Sequence, residues 1–124
     1  NLENRVTAIH GISIGCHGTN YREKLYKLCV DAGLKFITCP SAWIDHKRTE
    51  LRMPFHNSIT PVDELIKYNI PIAIGTDNIC DVYKPFSSGN IFFEIKLLLE
   101  VCKIYNYEIL FDIITNDGVL QWKI

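Results

Sequence analysis

Asp77 stands next to last in the run IAIGTDN, residues 72–78, in which apolar residues lead through Gly75 and Thr76 to a carboxylate. A carboxylate placed there can bind a metal, orient a histidine or accept a proton. The bland alternative is a turn or helix-cap aspartate. His10 closes a second apolar run, VTAIH, residues 6–10. A histidine at that position can serve as metal ligand, general acid or base, or substrate donor. The alternative is a histidine satisfied by backbone groups. The stretch ICDVYKPFSSG that follows Asn78 exceeds the ordinary strand-to-helix turn of about 2–6 residues. The end of this strand therefore has something to hold.

The remaining histidines, His17, His46 and His56, fall in loop-like sequence and are expected at the surface. Asp45 beside His46 is a weak signal. The five cysteines are widely spaced, with no C-x-x-C. A disulfide framework and a zinc ribbon are both disfavoured. Reduced cysteines packed mostly in the core point to the cytosol. The small zinc nucleobase deaminases carry H-x-E…P-C-x-x-C, which is absent here. So are G-x-S-x-G, H-E-x-x-H and the P-loop. The spacing of Gly11, Gly15 and Gly18 does not match G-x-G-x-x-G.

These groups need elements to position them. RVTAIH predicts a short buried strand ending at His10, followed by a glycine-containing loop. NYREKLYKLCVDAG predicts a helix over 20–33, with Asn20 as cap, Glu23 completing a capping box and Gly33 as stop. Its inner face would carry Tyr21, Leu25, Leu28, Cys29 and Ala32. LKFITCP predicts a strand broken by Pro40, and a long polar connection runs from Ser41 to Ile59. TPVDELIKYN predicts a helix capped by Thr60 with Pro61 in its first turn. IPIAIG predicts a third strand. GNIFFEIKLLLEVCKIY is apolar on nearly every side, which predicts a largely buried helix. YEILFDIITNDG predicts one more, stopped by Gly118. The strands are continuous apolar runs alternating with helices. That pattern argues for a parallel sheet covered by helices. In such folds chemistry gathers at the carboxyl ends of the strands, where His10 and Asp77 fall.

The chain has 124 residues, 48% of them hydrophobic and 22% charged, with net charge -1. One core fits that length. The charge balance gives no reason to propose nucleic acid. No stretch reaches the roughly 18 apolar residues of a membrane span. Residue 1 is Asn1 and the only methionine is Met53, which points to a piece of something longer.

Taken together, VTAIH, KFITCPSAW and SITPVDELIKYNIPIAIGTDNICDVYKPFSSGN resemble the last third of the cytosine deaminase-like branch of the metal-dependent amidohydrolase superfamily. The sharpest match runs from Thr60 to Asn90, and the resemblance covers roughly residues 5–118. It implies an α/β fold, a partial TIM-type (β/α)8 barrel contributing strands 6 to 8. The whole chain, 1–124, would be the C-terminal part of one barrel domain. It also implies hydrolytic deamination of cytosine to uracil and ammonia by a metal-activated water. Asp77 matches the carboxylate that binds the metal, zinc or iron, and shuttles a proton. His10 matches the histidine that polarises or orients substrate and water. Asn78 falls where a second side chain touches the substrate ring, and Tyr83 near an aromatic residue that packs on the base.

The sequence also departs from the family pattern. The H-x-H after strand 1, the histidine after strand 5 and the glutamate beyond it have no counterpart in the chain. A barrel of this type takes about 250 residues. Catalytic metal sites use about three or more protein ligands, so Asp77 alone does not suffice. The end, VLQWKI, replaces an Ala-rich helix. The expectation is a fragment inactive alone, with no tight metal site of its own. The implied partners are a small-molecule nucleobase and either a missing N-terminal half or a further copy of the chain, with no nucleic acid or membrane. One alternative is a non-catalytic remnant or split-enzyme subunit. Another is a different cyclic amidine or amide hydrolase of the same superfamily.

Overall fold

Three short apolar runs pair as parallel strands, β1 Thr7–Ile9, β2 Lys35–Thr38 and β3 Ile72–Ile74, in the order β1-β2-β3. This computed structural model describes residues 2–44 and 59–115. Thr7 lies opposite Lys35, and Ile37 lies opposite Ala73. The helices are α1 Thr19–Asp31, α2 Val62–Lys67, α3 Ile91–Cys102 and α4 Tyr107–Ile114. Two 3₁₀ turns, Ile12–Cys16 and Pro40–Ile44, follow β1 and β2 directly. The parallel α/β arrangement expected from the apolar runs is present, and it is consistent with part of a barrel.

The core lies between sheet and helices. Tyr26, Val62, Leu65 and Leu98 are fully buried, with Phe36 and Ile72 beside them. Each such aliphatic side chain contributes about 1.5–3 kcal/mol through water exclusion. Gly33 takes a left-handed backbone after the last turn of α1, with φ 62°. A Cβ there would lie 1.9 Å from Asn4 Oδ1, so the stop needs glycine for space as well as for φ.

Several local expectations are corrected. α1 starts earlier than the spacing predicts: extended Gly18 is its cap, and Gly18 O accepts from Tyr21 N and Arg22 N. Asn20 is therefore inside the first turn. The inner face also turns, because Tyr26 and Cys29 are buried while Tyr21 and Leu28 are exposed. Tyr26 can go inside because its hydroxyl donates to Glu64 Oε2 at 2.6 Å. Tyr21 instead packs at the surface on His17, ring centroids 4.5 Å apart. Pro61, not Thr60, caps α2. The connection after Pro40 opens as a buried 3₁₀ turn carrying Ser41, Ala42 and Trp43.

α3 is the largest correction. Asn90 caps it by accepting from Phe92 N at 3.0 Å. Within the helix only Glu94 and Leu98 are buried, while Phe92 is 77% exposed. The 3₁₀ turn after β2 and strand β3 pack against one side of this helix, and its other apolar side has no cover among the described residues. The expected stop at Gly118 and the expected surface positions of His46 and His56 lie outside the described residues.

Candidate functional site

The site is built where three strand ends meet. β1 runs out at Ile9, and His10 follows with a left-handed backbone, φ 68°. Its N–H still reaches the sheet, donating to Ile37 O at 2.8 Å. Its carbonyl accepts from Thr60 Oγ1, whose hydroxyl also accepts from Trp43 Nε1 at 3.1 Å. Thr60 is fully buried. The residue expected as a helix cap thus ties the end of β1 to the turn after β2.

β3 passes unusually close to β2 at Gly75. A Cβ there would come within 3.2 Å of both Cys39 Sγ and Ile37 Cγ2. Gly75 N donates to Thr38 O at 2.9 Å. Two residues later Asp77 has φ 56°. Non-glycine residues held left-handed cost on the order of 1–2 kcal/mol and gather at functional sites.

These turns bring His10 and Asp77 face to face, Nε2 3.9 Å from Oδ1. That separation is longer than a hydrogen bond. Both side chains are partly exposed, 33% and 23%. His10 Nδ1 is buried and makes no hydrogen bond among the described residues. The other carboxylate oxygen, Asp77 Oδ2, is 3.1 Å from Lys84 Nζ. Lys84 Nζ donates also to Ser41 Oγ at 2.9 Å, and Ser41 N donates to the buried Glu94 Oε2 at 2.7 Å. Cys39, behind the pair, has its thiol pushed up to about 11, by burial first and by the Asp77 charge second.

Asn78 and Tyr83 lie elsewhere in the same loop. Asn78 Nδ2 donates to Asp81 Oδ2, and Asp81 Oδ1 accepts from Tyr83 N and Lys84 N at 2.9 and 2.7 Å. The Asn78 bond above all holds the Asp81 carboxyl below its ordinary range. Tyr83 is exposed, at the rim of a cavity of about 500 Å³ bordered by Ser41, Lys84, Phe86, Phe93 and Glu94.

Lys84, Ser41, Glu94 and Thr60 are the site neighbours that spacing alone does not reveal. One signal was present: Glu94 is an acid in the apolar run IFFEIKLLL.

The implied metal needs more donors than this site gathers. Among the described residues, no three His, Cys, Asp or Glu side chains gather to hold an ion. One carboxylate oxygen faces a single imidazole and the other carries an ammonium. Such centres take about three or more protein ligands, so the residues present do not fit a metal by themselves.

No protein-family model matches the chain. A stretch of 65 residues, 52% of the chain, is 55% identical to an uncharacterized protein of Haemophilus influenzae, of which it covers 24%. Among solved structures, 5-methylcytosine deaminase from Klebsiella pneumoniae liganded with 5-fluorocytosine superposes with TM-score 0.84 and 27% identity. That superposition takes in 97% of this chain and 30% of the deaminase. The chain resembles the cytosine deaminase-like amidohydrolases. N-isopropylammelide isopropylaminohydrolase from Burkholderia multivorans superposes over the same 97% with TM-score 0.75 and 15% identity, a likeness of fold. It is covered over 28% of its length. The amidohydrolase likeness therefore extends over nearly all of this chain and about 30% of the Klebsiella enzyme. The described helices include none long and apolar enough to cross a membrane.

Proposed function

We propose that this chain is the C-terminal part of a (β/α)8 amidohydrolase barrel that deaminates cytosine or a close cyclic amidine. In this reading it acts only once the rest of the barrel is supplied. The observation that carries the reading is the superposition of 97% of the chain on 30% of a 5-methylcytosine deaminase at 27% identity. The pairing of Asp77 with His10 at two strand ends supports it, since barrel chemistry sits there.

The chemistry asked of these residues is hydrolysis of an amidine-like C–N bond. Water adds to the ring carbon, the exocyclic nitrogen leaves as ammonia, and a ring carbonyl remains. Asp77 accepts the proton of the attacking water. His10 orients substrate and water from the neighbouring strand end. Asn78 and Tyr83 are placed in the loop that would close over a nucleobase. Histidine ligands from the rest of the barrel, together with Asp77, would hold the metal, zinc or iron. The cytosol suits a protein whose cysteines form no disulfide among the described residues.

The test is ammonia release from cytosine, with zinc or ferrous ion, by the chain alone and by the chain mixed with the N-terminal part of a related deaminase. Activity only in the mixture, lost in Asp77→Ala, is the expected result. Mixtures that remain inactive would favour the remnant reading. Turnover of another cyclic amidine in place of cytosine would move the assignment within the superfamily.

A further inference from the structure

We infer that Lys84 is the resident counter-cation of Asp77, its ammonium standing in this chain where a divalent ion would otherwise neutralise that carboxylate. The inference rests on the proposed role of Asp77 as the metal-facing carboxylate. It begins from the mismatch between that role and the donor set found here.

The geometry is that of a built contact. The Lys84 side chain is only 5% exposed, unusual for lysine. Nζ meets Asp77 Oδ2 at 3.1 Å on one side and Ser41 Oγ at 2.9 Å on the other. The Lys84 backbone is pinned independently, because its N–H donates to Asp81 Oδ1 at 2.7 Å. Ser41 is held in turn by Glu94, so the ammonium sits in a frame drawn from the β2 turn, the β3 loop and α3. The charged and titratable groups around it include Asp77, Glu94, Asp81, the buried Cys39 and, across Asp77, His10. A buried ammonium persists only when paired and hydrogen-bonded, and here it is both.

The consequence is competition. A divalent ion arriving at Asp77 would meet a carboxylate whose Oδ2 is already taken, with a positive charge one ion-pair length away. Lys84 must withdraw before the carboxylate can serve a metal fully. As it withdraws, the loop that carries both residues loses its hold on Ser41.

The test uses the intact chain and manganous ion as a paramagnetic probe. Line broadening at the amides of Gly75 to Asn78 is followed by NMR in wild type, Lys84→Met and the Lys84→Met, Asp77→Asn double variant. The expected result is broadening in Lys84→Met at an ion concentration about tenfold lower than in wild type, the size set by one nearby charge in a water-like dielectric. The double variant should lose it. Equal broadening in wild type and Lys84→Met would overturn the inference and leave the reading of Asp77 standing. Broadening in neither would overturn the inference, because Lys84 would not be what keeps the ion from Asp77, and the reading of Asp77, which looks to ligands beyond this chain, would stand on the complementation assay. Reductive methylation read by mass spectrometry needs no variant and decides the matter if Lys84→Met does not fold. Lys84 should react more slowly than the exposed Lys67 and Lys96, and faster once manganous ion is added. Reaction as fast as at those lysines, or no response to the ion, would sink the proposal.

Discussion

Arg22 grips Glu64 through two parallel hydrogen bonds, Nε to Oε2 at 2.8 Å and Nη2 to Oε1 at 2.6 Å, joining α1 to α2 across 42 residues of sequence. The Tyr26 hydroxyl adds a third bond to the same carboxylate. A fork-to-fork pair of this kind is stronger than an ordinary surface ion pair. Both side chains keep some solvent contact, which moderates it. Glu64→Gln should therefore cost about 1–2 kcal/mol near neutral pH, read from urea unfolding.

The pH dependence of that pair has a definite sign. The Arg22 hydrogen bond holds the Glu64 carboxyl below its ordinary range. Its contribution is fully present above the unfolded carboxylate pKa of about 4.3 and is lost as pH falls from there through the lower folded value. Wild type and Glu64→Gln should begin to converge in stability as pH falls past the unfolded carboxylate value and meet only below the lower folded one. A gap unchanged between neutral and acid pH would show that the charge of Glu64 contributes nothing.

Thr60 should matter more than its size suggests. Its hydroxyl is buried between the His10 carbonyl and Trp43 Nε1. Thr60→Val keeps the shape but strands a buried donor and a carbonyl, a loss of about 1–3 kcal/mol. Thr60→Ser should recover most of it, and a change in indole fluorescence would report Trp43 directly. Equal stability of the two variants would mean that the hydroxyl is not the link.

The two sides of α3 should respond oppositely to substitution. Leu98 is fully buried and Phe92 is largely exposed. Leu98→Ala is expected to cost about 2–5 kcal/mol, the usual result of an internal cavity. Phe92→Ser should change stability by under about 0.5 kcal/mol in the chain alone. If a barrel partner covers that side, Phe92→Ser should instead weaken complementation in the mixed assay.

Thiol chemistry gives an independent check on burial. Cys16 and Cys80 are exposed, while Cys29 and Cys39 are buried. Burial also pushes the Cys39 and Cys102 thiols up to about 11. An aromatic disulfide reagent at neutral pH should modify Cys16 and Cys80 first. Cys39 should react only on unfolding, because both access and thiolate are lacking. Early modification of Cys39 would contradict the close approach of β2 and β3 at Gly75.

Much of the architecture was legible from local pattern. Continuous apolar runs alternating with helical segments specify parallel strands, because a strand buried on both faces needs no polar alternation. Gly33 marks its helix end for a reason visible in one residue, the need for a left-handed backbone. IAIGTDN and VTAIH place Asp77 and His10 at strand ends by the same local logic.

Contacts between distant segments were not legible. Which side of α1 turns inward depends on Glu64, 38 residues from Tyr26, which satisfies the tyrosine hydroxyl. Thr60 looks like a cap in its own helix, yet its hydroxyl serves His10 and Trp43. The burial of α3 was overestimated because apolar composition does not say how many neighbours are present to cover it. The sequence by itself determined the strand and helix order and the two residues that end on the site. Only the tertiary structure decided that Asp77 faces His10 on one side and Lys84 on the other. Charge pairing acts through space, and three strand ends meet only after the sheet has formed.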